Sequence, residues 1–262
     1  MKKNAWKIIL AIAVLVCVVC LGRFGWIKYQ NHKTEQARQE TLKAIASTEF
    51  TGENDGDEPE KVPAGVKHGQ KIDFKKLIKI NSDIYAWIYI PGTKVDYPVL
   101  QHPSDDSYYL NYNMNGTRGY PGCIYTEKAN SKEFTDFDTV VYGHNMRNDT
   151  MFASLHNYED QTFFNNFPYI YVYTKEKVLV YEIFAAYKTD DAHILHTNDF
   201  STKEGRVSYL ESIVKKSKNS PEVKDKIQLS VDSHLLTLST CVSRQADKRF
   251  VVQAILLNEE QL

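Results

Sequence analysis

One cysteine and one arginine stand where a hairpin would bring them together. Cys241 ends the run His234-Leu-Leu-Thr-Leu-Ser-Thr-Cys241, and Arg249 opens the next apolar run eight residues later. Because side chains alternate along a strand, Cys241 would share one face with Thr237 and Ser239. A neighbouring guanidinium lowers the pKa of a thiol and can hold an oxyanion, which suits a thiol nucleophile. The same spacing also fits a buried cysteine beside a surface arginine.

Among the eight histidines, His144 best fits the role of proton carrier for that thiol. It follows the run Val140-Val-Tyr-Gly143, and a glycine at a strand end lets the backbone bend and expose the next side chain. His234 begins the strand of Cys241 but lies about 23 Å along it at ~3.3 Å per residue, too far for proton transfer. We therefore predict that His144 and Cys241 both lie at strand ends.

Strand patterns dominate the chain and must position these residues. Alternating, aromatic or β-branched runs predict strands at Ile84–Ile90, Val95–Leu100, Gly122–Thr126, Thr139–Gly143, Tyr169–Tyr173, Val178–Tyr187, His234–Thr240 and Phe250–Leu257. Helices are expected at Asp73–Ile80, Asp105–Asn111, Thr150–Tyr158 and Thr202–Lys216. About eight strands spaced in this way predict a mainly β fold, an antiparallel barrel or sandwich decorated with helices.

The composition narrows the class of protein. The chain has 32 Lys plus Arg against 33 Asp plus Glu, so no basic face for nucleic acid is indicated. Its hydrophobic content of 42% argues against wholesale disorder. Cys17 and Cys20 have no second Cys or His pair beside them, so no zinc site is predicted. Spacing alone leaves open a disulfide between Cys123 and Cys241.

The first thirty residues are apolar and predict a membrane anchor. Ile8–Gly22 carries no charge, and extending it to Ile27 gives about 20 residues, enough for a hydrocarbon core of roughly 30 Å. Lysines precede it, which favours a cytoplasmic N-terminus. We therefore predict a single-pass cell-membrane protein whose catalytic domain is extracellular. A cleaved signal peptide is the alternative, but no small-x-small site follows the apolar run.

Composition also divides the chain into segments. Residues 29–47 are polar and free of Gly and Pro, as in an exposed helix, whereas residues 51–69 combine Gly, Pro and acids, as in a linker. We therefore predict an anchor at residues 1–28, a juxtamembrane helix and flexible linker at 29–71, and a catalytic domain at 72–262.

Three short motifs resemble those of the sortases, the transpeptidases that attach proteins to Gram-positive cell walls. Thr237-Leu-Ser-Thr-Cys241 is similar to the TLxTC signature, and Tyr142-Gly-His144 is similar to the family's histidine segment. Arg249 stands where the family's arginine opens the last strand. The resemblance covers roughly Ile72 to Leu257. It implies a sortase-type closed barrel of about eight strands, with N-terminal helices and a helix-containing insertion before the nucleophile strand.

Three further features resemble the class B subgroup of sortases. They are the TLSTC form of the signature, the stretch Asn148–Phe152, and the long helix-bearing insertion at Asp190–Lys226. Members of class B either anchor proteins to the wall or assemble pili. We expect wall anchoring, which is the commoner role.

The resemblance implies a role for each residue. Cys241 would attack the carbonyl after Thr in the C-terminal sorting motif of a surface protein and form a thioester. His144 would be the general acid and base, and Arg249 would steady the oxyanion or the substrate. An amino group of a lipid II-type peptidoglycan precursor would then accept the protein, with no cofactor and no metal. The substrate groove would be lined by Tyr142, Ser239, Thr240, Leu110 and Leu195.

Two other functions remain open at this point. A membrane-tethered cysteine peptidase would hydrolyse the same acyl-enzyme instead of transferring it. A non-catalytic module would bind peptide without turnover. Arg244, in the loop after Cys241, is a second cation that could replace Arg249. We expect Cys123 to remain a core thiol.

Overall fold

A computed structural model of the protein describes residues 10, 12–26, 28, 29, 32, 72–217 and 229–261. The chain divides into two units, Met1–Ser47 and Thr48–Leu262. The predicted linker, most of the predicted juxtamembrane helix, and residues 218–226 of the predicted insertion lie outside the described residues.

The first unit contains a helical segment in the region of the predicted anchor, described at residues 12–26. Over the described part of the chain, no helix combines the length and the apolar character needed to cross a membrane. The predicted single-pass membrane anchor is not found among the described residues, and this prediction is therefore wrong.

The second unit contains a closed barrel of eight strands, which confirms the predicted fold class. The strands are β1 Ile84–Tyr89, β2 Asp96–Leu100, β3 Ile124–Thr126, β4 Asp138–Tyr142, β5 Tyr169–Tyr173, β6 Lys177–Asp190, β7 Leu235–Val242 and β8 Gln245–Gln261. Their order around the barrel is β1-β2-β3-β4-β7-β8-β6-β5. The pairs β2–β3 and β4–β7 are parallel, so the barrel is mixed. Each of these pairs is joined by a long connection, as parallel neighbours require.

Short helices decorate the barrel. They are α1 Phe74–Ile80, α2 Tyr108–Asn111, a 3₁₀ helix Ala153–Glu159, α3 Gln161–Asn166, α4 Ile194–Thr197 and α5 Lys203–Ser217. The helix predicted at Thr150–Tyr158 starts later and is of the 3₁₀ type. Asp149 and Met151 have φ angles of 63° and 58°, and this left-handed backbone cannot continue a right-handed helix.

Strand β7 is buried on both faces until it reaches Cys241. Leu235 belongs to the apolar cluster that joins α5 to the barrel. Leu236 and Leu238, on the other face of the strand, are also fully buried. Residues 235–240 are therefore buried without interruption, and Cys241 is the first exposed residue of the strand. The thiol opens toward solvent rather than the core.

A buried carboxylate at the start of β4 fixes this strand against β7. Asp138 is 1% exposed, and its oxygens accept hydrogen bonds from Thr237 Oγ1 at 2.9 and 3.0 Å and from the Tyr209 hydroxyl at 2.7 Å. Burial raises the pKa of Asp138 to about 6, although these hydrogen bonds oppose the shift. The resulting register pairs Tyr142 with Ser239 and sets the level at which β4 ends beside β7.

We expect Asp138 to make the protein less stable as the pH rises from about 4 to about 6. In this window the folded protein keeps the proton up to about pH 6, whereas the unfolded carboxyl releases it near 3.8. The folded state binds more protons there, so the free energy of unfolding falls with pH, by about 3 kcal/mol across the window. The free energy of unfolding can be measured with urea at pH 4, 5, 6 and 7. The decrease with pH that Asp138 contributes should be missing in Asp138→Asn. An identical pH dependence in the variant and the unmodified chain would contradict the prediction.

Candidate active site

The three residues singled out in the sequence line one cleft. Cys241, His144 and Arg249 border a cavity of about 360 Å³ at the end of β4 and β7. Cys241 and Arg249 are paired residues in the β7–β8 ladder, as the hairpin predicted. The structure therefore brings a thiol, an imidazole and a guanidinium to one opening of the barrel.

The thiol of Cys241 is not part of a disulfide. In the described part of the chain Cys123 and Cys241 are both unbridged, the first buried and the second exposed. The sulfur of Cys123 lies 3.5 Å from the carbonyl oxygen of Tyr112. The bridge that spacing left open is thus not formed, and the exposed sulfur is the one at the cleft.

Two main-chain carbonyl groups, from β7 and from α2, hold the segment and the ring of His144 at the end of β4. Gly143 N donates to Ser239 O at 3.2 Å. The ring nitrogen Nε2 of His144 lies 2.8 Å from the carbonyl oxygen of Leu110, which can only accept. Nε2 therefore carries hydrogen, and Nδ1 of the neutral ring remains as the base. The ring also packs edge-on against Tyr120, with centroids 5.1 Å apart.

Gly143 serves close packing rather than a special backbone conformation. A Cβ at this position would come within 2.5 Å of Ile124 Cδ1 and within 2.7 Å of Phe152 ring atoms. Real Cβ atoms do not tolerate such distances, so any side chain here would push β4 away from its neighbours. The glycine therefore keeps the segment that carries His144 close to the barrel.

Arg249 is half-buried and is held by its own hairpin. The β7–β8 register shifts between Cys241 and Val242, so residues 246–248 form a bulge opposite the nucleophile strand. Arg249 Nη1 donates to Ala246 O at 2.9 Å and to Lys248 O at 3.0 Å. An arginine has five N–H donors, so these bonds leave others for the cleft.

Arg244 occupies a different place. It sits in the exposed turn between β7 and β8 with a φ of 63° and does not line the cleft. The turn needs a residue with left-handed backbone at this position, so Arg244 has a structural role in the hairpin. Position therefore separates the two arginines, and Arg249 is the one at the thiol.

Four of the five predicted groove residues line the cleft, namely Tyr142, Ser239, Thr240 and Leu110. Leu195 instead lines a separate cavity with Phe200 and Arg206. Its neighbour Ile194 lines the cleft in its place. Successive residues of a helical turn point about 100° apart, so α4 turns one toward the cleft and the other away.

The hydroxyl of Tyr142 is a polar group in the cleft that is not satisfied internally. It is buried and has no hydrogen-bond partner among the described residues. Burial raises the pKa of Tyr142, with a smaller contribution from the carboxylate of Glu127, so the phenol stays protonated. A buried donor without a partner is costly, and a bound acceptor would remove that cost.

The sequence did not single out a hydrogen-bonded Glu–His pair that lies in the same cleft. Glu127 Oε1 is 2.9 Å from His193 Nε2, and both residues line the cleft. With His196 they bring three potential ligand atoms within 4.8 Å of one another. The Glu127–His193 hydrogen bond accounts for this arrangement, and we assign no metal to it. Sequence patterns carry no signal for a contact across 66 residues.

A closed eight-stranded barrel with a thiol, an imidazole and a guanidinium at one mouth defines a thiol acyltransferase of the sortase type. A model of the sortase domain matches residues 88–257. The chain belongs to the sortase family, and it is a cysteine transpeptidase of that family. The resemblance drawn from the sequence motifs is thereby confirmed.

The chain is similar to several sortases B. Sortase B of Listeria monocytogenes is 33% identical over 192 residues, which cover 71% of this chain and 75% of the relative. Sortase B of Staphylococcus aureus is 26% identical over 261 residues, which cover 98% and 99%. The crystal structure of Clostridium perfringens sortase B matches with a TM-score of 0.63 at 35% identity, over 70% of this chain and 99% of that one.

A second solved structure covers more of the chain. Sortase B of Bacillus anthracis in complex with AAEK1 matches with a TM-score of 0.70 at 26% identity, over 88% of this chain and 99% of that one. These comparisons support the class B assignment made from the TLSTC signature.

Proposed function

We propose that this transpeptidase uses Cys241 as nucleophile, His144 as general acid and base, and Arg249 to steady the oxyanion. The observation that carries the proposal is the convergence of these three side chains on one cleft of about 360 Å³. Because β7 is buried up to Thr240, the cleft is where its thiol can meet a substrate. The catalytic domain in this proposal covers residues 72–262.

The first half-reaction breaks a peptide bond. The thiol of Cys241 gives its proton to Nδ1 of His144, and its sulfur attacks the carbonyl carbon after Thr in a C-terminal sorting signal, so that negative charge develops on the carbonyl oxygen. N–H groups of Arg249 stabilise that charge. The C–N bond then breaks, and His144 gives its proton to the departing amine. The product is a thioester between the substrate's threonine and Cys241.

The second half-reaction forms a new amide bond. An amino group of a peptidoglycan precursor attacks the thioester carbonyl, and His144 takes its proton as general base. The C–S bond breaks and the thiol is restored. Because a thioester is a more reactive acyl donor than an amide, amide formation proceeds without another energy source. We propose wall anchoring of surface proteins as the role of this reaction.

The cleft offers specific contacts to an extended substrate. The orphan hydroxyl of Tyr142 can donate to a peptide carbonyl. Leu110 is 40% exposed at the rim and offers an apolar contact to a side chain. Thr240 is less available, because its hydroxyl already donates to Gly143 O at 2.8 Å. We propose that Tyr142, Ser239 and Leu110 form the groove, with Ile194 in the place predicted for Leu195.

Transfer to an amine tests this function directly. We expect the full chain to cleave a peptide carrying an Asn-Pro-x-Thr or Leu-Pro-x-Thr signal and to join it to an added oligoglycine or diamino-acid peptide. The amine attacks the thioester in competition with water, so the new amide should increase with amine concentration. Mass spectrometry of the products checks this. Hydrolysis alone at every amine concentration would support the peptidase alternative.

Substitution of the two arginines tests the assignment of the cation. We expect Arg249→Ala to lower kcat/KM by about 10²- to 10³-fold, as loss of oxyanion stabilisation does. Arg249→Lys should recover little, because an ammonium does not reproduce the geometry of the guanidinium fork. Arg244→Ala, in the same hairpin, is the control and should stay within about twofold. A larger loss in Arg244→Ala than in Arg249→Ala would reverse the assignment.

A further inference from the structure

Two side chains behind the nucleophile hold its main-chain carbonyl. The carbonyl oxygen of Cys241 lies 2.8 Å from Asn145 Nδ2 and 3.2 Å from His156 Nε2. Neither residue lines the cleft that contains the thiol. Both line a second cavity of about 470 Å³, which shares no lining residue with that cleft. The contacts to the nucleophile's backbone are therefore separate from the substrate site.

The geometry of β7 explains why this carbonyl needs side-chain donors. Ser239 O accepts a hydrogen bond from Gly143 N, on the side of β7 that faces β4. Carbonyl groups two residues apart point to the same side of a strand, so the carbonyl of Cys241 faces the same way. The β4–β7 ladder ends with the Tyr142–Ser239 pair. Asn145 thus donates from the segment that continues β4 after its ladder has ended.

Glu159 fixes the state of the His156 ring. Its Oε1 lies 2.7 Å from His156 Nδ1, and its Oε2 lies 2.8 Å from Lys188 Nζ. Desolvation opposes ionisation of Glu159, but the hydrogen bonds from Lys188 and His156 outweigh it and lower its pKa. Because a carboxylate only accepts, Nδ1 of His156 carries hydrogen.

The remaining ring nitrogen then supports the carbonyl in either charge state. In the neutral ring, Nε2 accepts from Asn145 Nδ2 at 3.0 Å and orients the amide, whose other hydrogen goes to the Cys241 carbonyl. In the protonated ring, Nε2 donates to that carbonyl itself. Stacking on Phe250, with centroids 4.7 Å apart, holds the ring in place.

We propose that Asn145 and His156 are positioning residues for the Cys241 thiol. They fix the end of β7 against the segment that carries His144. Gly143 ties this segment to β7 on one side of the histidine, and Asn145 ties it on the other. The spacing of imidazole and thiol is therefore set from behind the site. The inference rests on the proposed role of Cys241 as nucleophile.

The test compares kcat with KM in the full chain, using a sorting peptide and an amine acceptor. His156→Phe keeps a ring to stack on Phe250 but removes the polar nitrogens, whereas His156→Gln restores an amide near Nε2. Asn145→Ala removes the shorter contact, and Asn148→Ala, an exposed asparagine of the same loop, is the matched control. We expect Asn145→Ala and His156→Phe to lower kcat about tenfold with KM within about twofold, as loss of a hydrogen bond in the transition state does.

Rescue separates positioning from packing. His156→Gln should recover most of kcat, and Asn148→Ala should keep all of it. Three results would each overturn the inference. The first is an equal loss of kcat in His156→Phe and His156→Gln. The others are an unchanged kcat in Asn145→Ala and His156→Phe, or a rise in KM alone. Asn145→Asp, which keeps the shape but loses the donor, replaces Asn145→Ala if thermal unfolding shows that the latter is not folded. Turnover by Cys241→Ala would instead overturn the proposed function.

Discussion

Replacing Cys241 by alanine should abolish transpeptidation, with kcat/KM falling by about 10⁴-fold or more. The proposed mechanism routes both half-reactions through the sulfur, and the other groups in the cleft have no acyl group to act on without it. The fold should be preserved, because Cys241 is exposed while the residues that precede it in β7 are buried. Peptide cleavage and amide formation, followed by chromatography, measure the loss.

A trapped intermediate gives the same prediction a positive form. Incubation of the unmodified chain with a sorting peptide should add the mass of the acyl fragment to the protein, and hydroxylamine should remove it, as expected for a thioester. Cys123→Ala is the matched control and should still form the adduct, since Cys123 is buried away from the cleft. An adduct in Cys241→Ala would place the nucleophile elsewhere.

Replacing His144 by alanine should lower kcat/KM for an amide substrate by about 10³-fold, within the range for loss of a general acid. The amine that leaves in the first half-reaction needs a proton, and Nδ1 of His144 supplies the one it has taken from the thiol, while Nε2 stays bonded to the carbonyl of Leu110. An ester analogue of the sorting peptide has a leaving group that needs less protonation. The acylation rate of His144→Ala should therefore fall clearly less with the ester substrate than with the amide substrate.

The matched control for this prediction is His102→Asn. The ring nitrogen Nδ1 of His102 accepts from the backbone N–H groups of Ser104 and Asp105, and an asparagine oxygen can replace it there. This variant should keep its activity. Equal losses on the amide and the ester would argue that His144 does not act as the general acid.

Local patterns in the sequence predicted that Cys241, His144 and Arg249 could meet, and in the structure all three line one cleft. Strand alternation and one hairpin brought Cys241 and Arg249 together, and the glycine before His144 marked the end of β4. Each of these signals depends on a few consecutive residues. The strand pattern alone was compatible with either a barrel or a sandwich. The resemblance to the family motifs then favoured the closed barrel.

What the sequence missed depends on distant contacts or on the length of an element. The parallel pairs β2–β3 and β4–β7 depend on how long connections cross, which periodicity does not encode. The contacts of Asn145 and His156 with Cys241 join residues 96 and 85 positions apart. The anchor prediction rested on a count of apolar residues, whereas no helix in the described part of the chain is both long and apolar enough to cross a membrane. Leu195, predicted for the groove, lines a neighbouring cavity, whereas the adjacent Ile194 lines the cleft.

The parallel strands β4 and β7 carry the reactive residues, whereas the chain that connects them lines the substrate cleft. His144 follows β4 and Cys241 is the next-to-last residue of β7, and the register of the two strands is fixed within the barrel wall. The chain between these strands supplies Asp190–Ile194 to one side of the cleft. Exchange of the segment that contains Asp190–Ile194 between relatives should therefore alter which peptides bind, while leaving the chemical step intact. Evolution, or a protein engineer, can diversify this enzyme by grafting a loop without rebuilding its reaction centre.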